Sequence, residues 1–135
     1  MFSRIKNNWK KSEAAVIIQQ LLEQKAAAGI FRGDPPTVAN SIIAVGWEQM
    51  PDVFSGRFGN RPHKISIAAF CLGYFTNIYD GDEQNGAVLA ICFIEVMEEI
   101  QRHWQLYGLT SADEFVLEQP AQFFSDIQHQ MKNDT

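Results

Sequence analysis

The feature that most limits how this chain can fold is a pair of segments, 63–79 and 83–107, separated only by Asp80-Gly81-Asp82. In the first, Ile65, Ile67, Ala68, Phe70, Cys71, Leu72, Phe75 and Ile78 leave almost no polar face. The second is apolar on every side as far as Ile94. Beyond Glu95 it turns amphipathic, with Met97, Ile100, Trp104 and Tyr107 on its inner side. A helix that is apolar all round has no face to give to water and belongs at the centre of a fold. Two such helices joined by a short turn predict a central antiparallel hairpin, about 63–107, that other helices must surround.

Those other helices carry their own signals. Ala14, Ile17, Ile18, Leu21 and Leu22 recur at helical spacing in a first helix from about Ser3 to Ala28, and Gly29 stands where it would stop. Asp34 before Pro35 and Pro36 places a capping oxygen ahead of prolines in a first turn, where the missing N–H costs nothing. Val38, Ile42 and Val45 then share a face, and Pro51 suits a short helical turn. Gly56, Gly59 and Asn60 make 55–62 a loop. Ser111-Ala112-Asp113-Glu114 has the form of a capping box, and Pro120 is expected to end or restart the helix behind it. Phe123, Ile127 and Met131 mark the inner face of a final helix, with Phe124 flanking it. Alternating strand patterns are scarce, and nothing repeats. The expectation is an all-α, single-domain bundle of five to seven helices over residues 1–135.

At 46% hydrophobic and 20% charged, the 135-residue chain has ordinary globular composition. Its longest apolar run, 87–94, falls far short of the roughly 20 residues a spanning helix needs. The first eleven residues lack the apolar core of a secretory leader. Cys71 and Cys92 stand in apolar helical patterns, which points to free buried thiols and a cytoplasmic protein. Charge is distributed unevenly. Residues 1–33 hold six cations against Glu13 and Glu23, residues 34–79 balance, and residues 80–135 hold eleven acids against Arg102 and Lys132. An acidic carboxyl-terminal half attracts a basic partner and repels phosphates, which disfavours nucleic acid.

Catalytic and cofactor motifs are missing. His63, His103 and His129 sit in unrelated surroundings, and no nucleophile elbow, phosphate loop, dinucleotide fingerprint or zinc spacing occurs. Glu95, Glu98, Glu99 and His103 share helical turns, but the spacing of a carboxylate-bridged metal site is not met. The acidic turn at Asp80 has Ile91 where a calcium loop needs glutamate. The chain is therefore expected to be no enzyme, to use no cofactor, and to act by protein–protein interaction as an immunity or inhibitor protein or an adaptor. Glu95, Glu98, Glu99, Asp113 and Glu114 are the candidate partner-binding residues. The alternative is an anion, nucleotide or small-ligand domain, or an unrecognised enzyme, centred on the basic loop 54–64. There Arg57, Arg61, His63 and Lys64 precede a helix start whose dipole favours anions. Phe54 and Phe58 in that loop would dock on a surface or pin it to the core. Three tryptophans and ten phenylalanines also suit a homodimer, and Phe2, Ile5 and Trp9 among Arg4, Lys6, Lys10 and Lys11 suit contact with an anionic membrane surface.

Overall fold

The computed structural model describes residues 2–133, with side chains from residue 11 onward. Six helices follow one another: α1 (Phe2–Ala27), α2 (Pro35–Trp47), α3 (Pro51–Phe54), α4 (Lys64–Ile78), α5 (Glu83–Arg102) and α6 (Ser111–Asn133). No strand occurs among the described residues, and the fold is an all-α bundle. No helix among them is long and apolar enough to cross a membrane. The side chains of Phe2, Arg4, Ile5, Lys6, Trp9 and Lys10, expected to touch a membrane surface, lie outside those described. Lys11 is described, with its ammonium 4.9 Å from the centre of the Trp47 ring.

The centre of the bundle is α4. Every residue from Ile65 to Gly73 is buried, and the helix packs against α1, α2, α5 and α6. Two glycines bring neighbours close. A Cβ on Gly46 of α2 would stand 2.7 Å from the Cα of Cys71, and one on Gly73 would stand 2.7 Å from the Phe93 ring of α5. The Phe54 ring, fully buried, lies 5.2 Å from Trp47 and 5.3 Å from Phe70, so α3 is pinned to the same core. Burying one such side chain contributes about 1.5–3 kcal/mol, so α4 carries much of the fold's stability.

The partner helix of the hairpin differs from its sequence reading. Val88, Leu89, Cys92, Phe93, Val96, Met97 and Ile100 of α5 are buried, but Glu83, Gln84, Ala87 and Ile91 face solvent. Its first half looks apolar all round because small alanines and one isoleucine occupy the outer face. The helix packs mainly against α4 and also touches α1 and α6, with its remaining face open to solvent. It also stops at Arg102, where 103–108 wind into turns that Gly108, at φ +65, closes.

The local signals fare as follows. Gly29, at φ +78, ends α1 with Ile30 N–H bonded to Lys25 C=O and Gly29 N–H to Ala26 C=O, the paired closure favoured by a left-handed glycine. Asp34 caps α2 by accepting from Thr37 N–H at 3.3 Å. The buried face of α2 is Ala39, Ile42, Ile43, Gly46 and Trp47, with Val38 and Val45 half-buried beside it. In α6 the expected break at Pro120 does not occur. The helix runs through it, and Pro120 is buried beside Phe70, Tyr74 and Phe123, where contact with α4 holds the turn that lacks a donor. The inner face of α6 is Val116, Leu117, Pro120 and Phe124. Phe123 and Ile127 are half-buried, and Met131 is exposed.

Candidate functional site

The start of α6 is built one residue earlier than its sequence suggests. Thr110, not Ser111, is the capping residue, and Asp113 reaches back to accept from Thr110 N–H at 2.9 Å and Thr110 Oγ1 at 3.3 Å. Its other oxygen accepts the backbone N–H of His63 at 2.7 Å. Asp113 is 2% exposed, so it stands inside the protein and not on the acidic surface where it was expected. His63 in turn caps α4, its Nδ1 accepting from Ile65 N–H at 3.0 Å, which requires Nδ1 to be free of a proton. One buried carboxylate thus ties the loop before α4 to the first turn of α6.

Around this tie lie three hollows that adjoin one another. The largest, about 650 Å³, opens between α1 and α5 over a floor of Ile17, Leu21, Ile65 and Val96. Glu95, Glu98, Glu99 and Arg102 edge one side, Gln20 and Gln24 the other, and His63, Lys64 and Tyr107 close one end. His63 also lines the second hollow, of about 360 Å³, with Arg61, Gly108 and Thr110. Asn60 lines both the second and the third, of about 490 Å³, which lies between Phe58 and Phe115. His63 is shared by the first and second hollows and Asn60 by the second and third, so the three are neighbours that together make up the candidate trough.

The trough collects most of the expected partner-binding residues. Glu95 pairs with Lys25 at 2.5 Å, and that hydrogen bond raises the pKa of Lys25 above its ordinary value. Glu98 is 3.7 Å from Arg102, and Glu99 is 3.9 Å from His103. Glu99 also accepts from the Tyr107 hydroxyl at 2.9 Å. Burial first, then that bond, raises the Tyr107 pKa. Glu114 is exposed at the head of α6, next to Phe115.

The basic residues are divided, with Arg61 sharing the second hollow with His63 while Arg57 lines none of the three. Arg57 turns to Asp52 at 3.3 Å and lays its guanidinium 5.8 Å from the centre of the Phe58 ring. Arg61 is half-buried with its side chain against Gly56, which has φ +79 and no room for a Cβ there. Only His63 and Lys64 reach the large groove. Of the two loop phenylalanines, Phe54 is core and Phe58 is 77% exposed. Phe115 and Tyr107 are site residues that sequence reading missed. Phe115 had one readable sign, its place off the face that Val116, Leu117, Pro120 and Phe124 define.

Burial favours the protonated form of both thiols. Both cysteines are free and buried, and burial pushes Cys71 up to about 12 and Cys92 up to about 11. Among the described residues no three His, Cys, Asp or Glu side chains gather as a metal-holding group. No family model matches the chain, and no curated protein or solved structure matches it significantly.

Proposed function

We propose that this chain is a cytoplasmic binding protein, not an enzyme, that captures a segment of a basic partner protein in the trough, in the manner of an immunity or inhibitor protein or an adaptor. The observation that carries this reading is the adjacency of the three hollows, which share His63 and Asn60. The first has apolar walls with Glu95, Glu98 and Glu99 among its lining, and the third has two exposed aromatic rings, with Glu114 next to Phe115 in the chain. A small-ligand site closes around its ligand, whereas a row of open hollows with apolar walls and acidic side chains suits a chain bearing apolar and cationic side chains. The free cationic charge in the large groove is Lys64, which makes no ion pair among the described residues. Against the alternative of an anion or nucleotide site in the basic loop, Arg57 pairs with Asp52 and lines none of the three hollows, and Arg61 and Lys64 line different ones, while three glutamates line the large groove.

The test is affinity capture from the native cell with the wild type and with the Glu98→Lys, Glu114→Lys double variant, followed by binding measurements on the purified partner. Both side chains are exposed and hold little of the fold together, so the variant folds. Binding at least tenfold weaker, with weaker capture at higher salt, supports the reading. Unchanged binding by the variant defeats it.

A further inference from the structure

We propose that the hollow between Phe58 and Phe115 anchors an arginine side chain of the partner, its guanidinium lying against the two rings with Glu114 and Glu118 supplying the opposing charge. This rests on the reading of a basic protein partner and names the group such a partner would insert at one end of the trough.

Three independent observations meet here. The first is exposure without looseness. Phe58 is 77% and Phe115 56% exposed, yet both backbones are held. Arg57 N–H bonds Asp52 C=O at 3.0 Å and Gly59 N–H bonds Gly56 C=O at 3.3 Å on either side of Phe58. Phe115 sits in the first turns of α6, which the Thr110 and Asp113 cap fixes. Two rings carried on held backbone across one hollow of about 490 Å³ lower the backbone ordering that a partner would otherwise have to impose.

The second is charge. Glu114 and Glu118 stand four apart on the exposed side of α6 and make no ion pair among the described residues. Like charges at that spacing weaken a helix. Phe115 lies between them in sequence, one residue from Glu114 and three from Glu118. The walls of the hollow itself, Val53, Gly59, Asn60, Ser111 and Ala112 with the two rings, carry no charge. Helical spacing puts Glu114 one turn from Ser111 and Glu118 one turn from Phe115, and Ser111 and Phe115 both line the recess. An aromatic recess with exposed carboxylates on the neighbouring turns attracts a cation that also has a flat apolar face, which describes guanidinium better than ammonium.

The third is an arginine already present. Arg57 places its guanidinium over the Phe58 ring while a carboxylate, Asp52, holds its edge. A partner's arginine would repeat this arrangement from within the hollow, between the Phe58 and Phe115 rings, with Glu114 or Glu118 in the place of Asp52. A second copy of this chain is a poorer occupant, because it would bring the same unpaired carboxylates against one another.

The experiment uses the full chain and capped glycine–serine pentapeptides whose central residue is arginine, citrulline or leucine, followed by the ring resonances of Phe58 and Phe115 in NMR titrations. The expected result is that the arginine peptide shifts both rings and binds about fivefold or more tighter than the citrulline and leucine peptides. Phe58→Ala and Phe115→Ala each remove that preference without lowering the melting temperature, and Glu114→Gln with Glu118→Gln weakens the arginine peptide several-fold. Equal binding of citrulline or leucine, unchanged arginine binding in either phenylalanine variant, or ring shifts that follow protein concentration alone and so report a second copy, would each overturn the proposal. If the arginine peptide fails while partner capture still depends on Glu98, the anchor is wrong and the trough stands. If capture is indifferent to Glu98 and Glu114, the broader reading has failed first.

Discussion

Asp113 accepts the backbone N–H of His63 at 2.7 Å, joining residues fifty apart in the chain through a carboxylate that is 2% exposed. The same side chain closes the first turn of α6 through Thr110. Replacing it with alanine leaves two backbone donors without a partner and removes a cap. Asp113→Ala is therefore expected to lose about 2–4 kcal/mol in urea unfolding. Asp113→Asn, which keeps an acceptor for His63 but presents an amide to Thr110, should lose about half of that. Equal stability of all three chains would show that the tie is not structural.

Gly46 offers a sharper steric test. A Cβ there would meet the Sγ, Cβ and Cα of Cys71 at 2.5–2.7 Å, and the Cα is backbone that cannot turn away. Gly46→Ala gains helix propensity but forces α2 off α4. The net expectation is a loss of about 2–3 kcal/mol, read from chemical denaturation. A gain in stability would mean the two helices do not pack this closely.

Ser66 predicts a change of the opposite sign. Its hydroxyl is fully buried within α4 and has no hydrogen-bond partner among the described residues. Ser66→Ala removes a desolvated polar group and leaves little void, so stability should rise by about 1 kcal/mol. A loss on this substitution would mean that the hydroxyl is satisfied.

Alkali should weaken the fold in a defined window. Burial pushes the thiols of Cys71 and Cys92 up to about 12 and about 11, and Tyr107 and Lys25 are raised as well. Each group holds its proton more firmly folded than unfolded. The folded chain therefore binds more protons in this range, and stability falls as pH rises. Loss begins near pH 9, the ordinary thiol value, and continues through the raised values. Urea unfolding from pH 7 upward should give a plateau and then a decline above pH 9, with a shallower decline in Cys71→Ala. Stability that rises above pH 9 would contradict the buried placement of these thiols.

How much of this was legible depends on whether the information is local. The cap at Asp34, the stop at Gly29 and the burial of α4 rest on dihedral preferences and on residue types that no other placement would satisfy, and all three stand in the structure. The first half of α5 reads as apolar on every side because Ala87, Ala90 and Ile91 are compatible with either burial or exposure, and only the packing against α4 decides which of them face out. Two overlapping capping patterns exist at the head of α6, Thr110 to Asp113 and Ser111 to Glu114. The choice between them is made by His63, which sequence spacing cannot see. The candidate site was legible residue by residue in Glu95, Glu98, Glu99 and Glu114. The adjacency of its hollows was not, because Asn60 and His63 are shared by hollows formed by α1, α5, α6 and the loop before α4. Charge counting placed Asp113 among the surface acids for the same reason, since counting carries no information on burial.

If a partner is captured at the three adjacent hollows, the most direct measurement is hydrogen–deuterium exchange of the chain free and bound to that partner. The account predicts added protection at 53–64, in α5 around 95–102 and at the head of α6 around 110–118, with α2 unchanged. Protection confined to α2, or to the amino-terminal half of α1, would contradict it.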